Sequence, residues 1–137
     1  MIDRIMADLQ RDEGLRLKPY RDSVGKLTIG FGRNLDDVGI SEREAEILLD
    51  NDIAKTFADL DRALPWWRDL PLFQQRGLAN MAFNLGLTRL KTFKKMLAAL
   101  EAGDGERAAI EALDSIWAGQ VKGRADRIAY LYRYRDT

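Results

Sequence analysis

The chain has no cysteine and no histidine among its 137 residues. Without cysteine there is no disulfide and no thiolate metal site. Without histidine, Ser-His-Asp and Cys-His catalysis, histidine-based zinc sites and haem ligation drop out together. Neither a metal nor a cofactor is expected, and acid–base chemistry near neutral pH falls mainly to carboxylates. An excess of one charge is missing too: 22 Lys and Arg face 22 Asp and Glu. Dedicated nucleic-acid binders usually carry a strongly basic domain, so no nucleic-acid partner is expected. No apolar run approaches the ~20 residues of a membrane span. The start, Met1-Ile2-Asp3-Arg4-Ile5-Met6-Ala7-Asp8, lacks the uninterrupted apolar stretch of a secretory signal. Two phosphate-binding look-alikes also fail. Gly30-Phe31-Gly32 has no third glycine, and Gly25-Lys26-Leu27 has neither an upstream glycine nor an adjoining Ser or Thr.

What is present is a balanced composition, 46% apolar and 32% charged, long enough for one domain with a real core. Ile2, Ile5, Met6 and Leu9 recur at helical spacing, with Asp3 as the expected N-cap and Gly14 as the stop. From Leu27 to Gly32, apolar residues alternate with Thr28, Gly30 and Gly32, a strand whose preceding turn is Asp22-Ser23-Val24-Gly25. A small antiparallel hairpin is therefore predicted. Ser41-Glu42-Arg43-Glu44 is a capping box. The helix it opens runs to Pro65 and turns Ala45, Leu48, Leu49, Ile53, Phe57, Leu60 and Leu64 inward. Beyond Pro65-Trp66-Trp67 the pattern is helical: one helix from Pro71 to Gly86, then Phe93–Ala102, Glu106–Leu113 and Arg124–Tyr134. The fold class is α+β: a small hairpin lobe over about 14–40, a connecting helix over about 41–64, and a helical lobe over about 65–137. The N-terminal helix, 3–13, belongs with the helical lobe, and 1–137 form a single domain.

Candidate chemistry lies early in the chain. Glu13 ends the first helix, where the negative end of the helix dipole and the neighbouring Asp12 both push its proton affinity upward. That is the direction a general acid requires. Asp22, in the turn, comes close to Glu13 if the hairpin folds back on the helix; otherwise it only bonds to nearby backbone. Two carboxylates in unequal environments suit glycoside hydrolysis, one as proton donor and one supporting positive charge or activating water. Thr28 lies on the lean face of its strand, where its hydroxyl can hold a water. Gly30 and Gly32 beside it let a polymer pass near the backbone.

The run Asp12-Glu13-Gly14-Leu15-Arg16-Leu17-Lys18-Pro19-Tyr20-Arg21-Asp22, followed by Gly25-Lys26-Leu27-Thr28-Ile29-Gly30-Phe31-Gly32, resembles the phage lysozymes (endolysins) of glycoside hydrolase family 24. Glu13, Asp22 and Thr28 match that family's Glu, Asp and Thr in both spacings. Ala79-Asn80-Met81-Ala82-Phe83-Asn84-Leu85-Gly86 is similar to the helix lining its cleft. Ser115, Trp117, Gln120, Arg124, Ala125 and Arg127 resemble its C-terminal signature. The resemblance implies a lysozyme-like fold and hydrolysis, with inversion, of the bond between N-acetylmuramic acid and N-acetylglucosamine. Glu13, Asp22 and Thr28 would be catalytic, and Gly30, Gly32, Phe83 and Asn84 would meet substrate. Arg124 would pair with the catalytic glutamate, and Trp117 would pack in the core. It further implies a monomer acting on peptidoglycan glycan strands to lyse the host. The chain would wait in the host cytoplasm until a holin gives it access to the periplasm or cell wall. Arg33 stands where relatives have His, so a His–carboxylate pair is not expected, and the short stretch from Gly32 to Ser41 implies a trimmed small lobe. The rival readings are a lytic transglycosylase, which cleaves the same bond without water, and a non-catalytic wall-binding protein.

Overall fold

A computed structural model of the chain describes residues 1–135. Two compact units divide it, Met1–Leu48 and Leu49–Thr137. The first opens with α1 (Ile2–Glu13), whose end is set by Gly14 at φ 71°, its N–H donating to the Gln10 carbonyl at 3.0 Å. The expected cap at Asp3 is not found. Met1 takes the N-cap position without a side-chain bond, and Asp3 sits in the first turn, where its charge faces the positive end of the helix dipole.

Three strands follow in antiparallel order: β1 (Arg16–Arg21), β2 (Leu27–Gly30) and β3 (Arg33–Asn34). The predicted hairpin is present but has a third strand, with Ile29 opposite Arg33 and Thr28 opposite Asn34. The second strand therefore ends at Gly30 rather than Gly32. Gly30 and Gly32 adopt φ of 70° and 75°, outside the extended region, and so turn the chain back on itself. Between β1 and β2 the register shifts between Arg16 and Tyr20, a stretch containing Pro19, which has no N–H to give a ladder.

Helix α2 (Glu42–Ala63) begins in the first unit and ends in the second. Its capping box is closed both ways: Glu44 N–H donates to Ser41 Oγ at 3.1 Å, and Ser41 N–H to Glu44 Oε1 at 2.9 Å. Leu60 and, just past the helix, Leu64 are buried, and Phe57 packs against the core. Ala45, Leu48 and Leu49, expected to face inward, are exposed. A single periodic stripe over a long helix does not tell which turns have a core beside them.

The core of the second unit is built by α3 (Leu72–Leu85), α4 (Leu87–Leu90), α5 (Lys94–Glu101), α6 (Gly105–Leu113), α7 (Ile116–Val121) and α8 (Gly123–Arg133). Leu78 and Met81 of α3, Leu100 of α5, and Ile128 and Tyr132 of α8 are fully buried. Each such side chain contributes about 1.5–3 kcal/mol of burial. Between them α6 buries only Gly105, Ala108, Ala109 and Ala112, and such small residues let neighbouring helices approach closely. Asp104 caps α6 by accepting from Arg107 N–H at 3.0 Å, and Ser115 caps α7 by accepting from Ala118 N–H at 3.1 Å. Helices α4 and α7 and a 3-10 turn at Trp67–Asp69 escape sequence reading because they are too short to display a period.

Candidate active site

The β1–β2 turn is organised by Asp22. Its Oδ1 accepts from Val24 N–H at 3.0 Å and Lys26 N–H at 2.8 Å, and its own N–H donates to the Lys26 carbonyl at 2.9 Å. The backbone-bonding role open to any turn Asp is thus real, but it occupies one oxygen. Oδ2 has no hydrogen-bond partner among the described residues. Thr28 is 3% exposed, and its hydroxyl donates to that same Lys26 carbonyl at 2.9 Å. Asp22 and Thr28 therefore flank a single peptide group. With its proton so engaged, the Thr28 hydroxyl keeps lone pairs to accept a hydrogen bond.

Glu13, the last residue of α1, is exposed, and its carboxyl group makes no hydrogen bond or ion pair within its own unit. Its carboxyl group lies against Gly32: a β-carbon there would stand 2.7 Å from Oε2. The helix terminus and the β2–β3 connection meet at this point. Strand β2, about 10 Å long at ~3.3 Å per residue, thus has Asp22 and Thr28 at its start and Glu13 just past its end. Gly30 has nothing within 4 Å of where a side chain would begin, so the backbone between the two acids is open.

Immediately after Gly32, Arg33 forks onto Glu44, Nη1 to Oε1 at 2.8 Å and Nη2 to Oε2 at 2.7 Å, and Nη1 also donates to the Gly39 carbonyl at 3.1 Å. The chain has no histidine, and the residue at this position makes an arginine–carboxylate pair. Sequence reading missed this pair because its members are eleven residues apart, and the one available signal was the capping-box glutamate. Arg33 first, and then the Ser41 backbone, hold the Glu44 carboxyl down at about 2. A depressed carboxylate stabilises the fold above its ordinary titration range, and that stabilisation is lost as pH falls from about 4.5 through 2. The protection of the β2 and β3 amides, taken relative to their intrinsic exchange, is therefore expected to fall over this interval. Arg33→Gln should exchange faster at pH 6 and show a flatter acid dependence; an identical dependence in the two proteins would rule the fork out as its source.

The remaining site residues lie in the second unit. Phe83, 42% exposed, and Arg124 both line a groove of about 530 Å³ whose walls include Leu49, Ile53, Phe57 and Trp67. Arg124 Nε donates to Asn80 Oδ1 at 2.8 Å. Asn84 Oδ1 accepts from Trp117 Nε1 at 2.8 Å. Asn84, read from sequence as a substrate contact, is exposed and through this oxygen also braces the Trp117 indole. Trp117 is 3% exposed, edge-on to Phe93, and packs in the core. A cluster that sequence reading missed borders the groove. Trp67 Nε1 and Arg68 Nε both donate to Asp61 Oδ1 at 2.7 Å, with Arg68 stacked 4.7 Å above the Trp67 ring. Arg68, and after it Trp67, hold the Asp61 carboxyl below its usual range. The chain reverses at Pro65 to bring these residues together, so no periodicity announces them.

The phage lysozyme family profile matches residues 10–135. The pre-baseplate central spike protein Gp5 of Enterobacteria phage T4 is 34% identical over 90% of this chain, which spans 26% of that protein. A probable T4-type lysozyme 2 of Dictyostelium discoideum is 27% identical, over 96% of this chain and 95% of its own length. An endolysin of Acyrthosiphon pisum secondary endosymbiont phage 1 is 32% identical, over 94% and 88%. A profile covering both the carboxylate-bearing sheet and the helical unit shows that the chain belongs to the phage lysozyme family, glycoside hydrolase family 24.

Proposed function

We propose that the chain is a muramidase that cleaves the β-1,4 bond between N-acetylmuramic acid and N-acetylglucosamine by hydrolysis. Peptidoglycan hydrolysis in general follows from family membership; the choice of bond and the mechanism are our reading. The observation that carries it is the placing of Glu13 against Gly32, past one end of the strand whose other end holds Asp22 and Thr28. Protonated Glu13 donates to the glycosidic oxygen as the bond to the anomeric carbon breaks. Asp22, through the oxygen its turn leaves unbonded, supports the positive charge that develops on the sugar. Asp22 and Thr28 together orient a water, which attacks from the opposite face, inverts the anomeric centre and gives up its proton to the Asp22 carboxylate. That geometry requires carboxyl groups ~6.5–9.5 Å apart, enough to admit the water. Gly30, without a side chain, lets the glycan lie on the strand. The chain acts as a monomer, and its access to the wall depends on a holin.

Purified peptidoglycan digested with the chain tests both bond and mechanism. Mass spectra should show muramic reducing ends rather than 1,6-anhydro-muramic ends, and proton NMR of early product should show the α anomer first. Anhydro ends would make the chain a lytic transglycosylase. Binding without any released ends would make it a wall-binding protein.

A further inference from the structure

Resting on that reading, we propose that Gly32 is a positioning residue for the proton donor: its missing side chain is the seat of the Glu13 carboxyl group. A β-carbon at position 32 would stand 2.7 Å from Glu13 Oε2, 2.9 Å from Cδ and 3.2 Å from Cγ. Three atoms of one side chain thus occupy the space any other residue would fill. Everything crowded is the far end of a flexible side chain, so the fold has no need to yield; the carboxyl group does. To reach ordinary contact it must withdraw by several tenths of an ångström or rotate away. Rates of reactions that depend on positioned groups fall by about 10²-fold for a misplacement near 1 Å. The seat itself is held firmly, because the next residue, Arg33, is forked onto Glu44 at the start of α2. Gly32 therefore does two separable things: it adopts φ 75°, and it leaves room for an acid.

The two are separated by comparing Gly32→Ala with Gly39→Ala. Gly39 also has a positive φ, 64°, but nothing lies within 4 Å of its absent β-carbon. Both variants carry backbone strain and should lose similar amounts of Tm, whereas only Gly32→Ala crowds Glu13. We expect Gly32→Ala to lose about 10- to 100-fold in kcat on peptidoglycan with KM within about threefold, and its pH–rate profile to move. Gly39→Ala should keep the parent's kcat and profile. Gly32→Asn, which tolerates positive φ better than Ala but carries the same β-carbon, should be as slow as Gly32→Ala while melting closer to the parent. A Gly32→Asn enzyme with parental kcat and pH profile overturns the inference. Glu13→Gln run alongside keeps the two readings apart. If Glu13→Gln is inactive and the Gly32 variants behave like Gly39→Ala, the seat is wrong and the proton donor stands. If Glu13→Gln turns over like the parent, the proton-donor assignment falls, and the seat with it.

Discussion

Glu13→Gln is expected to fold as the parent does and to release reducing ends from peptidoglycan about 10²–10⁴-fold more slowly, the usual worth of a positioned general acid. The prediction is sharp because the stability and activity of this side chain are uncoupled. Glu13 ends α1 exposed and its carboxyl group bonds to nothing within its own unit, so exchanging it for its isosteric amide should change stability by no more than about 0.5 kcal/mol. Glutamine has the same length and fits the same place against Gly32, so nothing around it needs to move. What it lacks is a transferable carboxyl proton. Reducing-end release and a thermal melt on the same preparation suffice. Parental turnover would remove Glu13 from the mechanism, and a large drop in Tm would mean that the carboxylate carries structural weight.

The largest loss of stability is expected at a residue remote from this chemistry. Gly105 is buried at the start of α6, and a β-carbon there would run into the carbonyl oxygen of Tyr132 and stand 2.6 Å from Gln74 Nε2. One obstacle is backbone. The other is the amide that donates to the same Tyr132 carbonyl at 3.1 Å, from a buried side chain whose Oε1 already lacks a partner among the described residues. Gly105→Ala must push α8 away from α6 or break that bond. A cost of about 3 kcal/mol, near the upper end of overpacking effects, exceeds the ~1 kcal/mol that alanine gains over glycine in a helix. Tm should fall by roughly 10 °C. Gly119→Ala in α7, where nothing lies within 4 Å, is the matched comparison and should leave Tm unchanged or slightly higher. Equal melting of the two variants would mean that α6 and α8 are not packed as closely as described.

Much of the architecture was legible because local signals are strong where one residue type serves one backbone need. Ser41 and Glu44 announced their capping box three residues apart, and Gly14 and Gly86 ended helices where a positive φ was required. Asp22 marked its turn. Glu13, Asp22 and Thr28 stood out by spacing, which survives in sequence because all three lie within sixteen residues of one helix end and one hairpin. Other features were illegible for definite reasons. The two-residue strand β3 and the four-residue α4 complete no period. The exposed half of α2 carries the same apolar spacing as its buried half. Asn84 and Trp117, 33 residues apart, share a hydrogen bond that no local pattern reports.

The longer helices, the first hairpin turn and the candidate trio Glu13, Asp22 and Thr28 were legible in sequence alone, since each rests on signals a few residues apart. Which atoms face each other was decided only by the tertiary structure. It set Thr28 and Asp22 on one carbonyl, laid the Glu13 carboxyl in the space a glycine leaves, and forked Arg33 onto Glu44. These are distance relations between segments, and they arise when chain reversals at Asp22–Gly25 and Gly30–Gly32 bring remote backbone together.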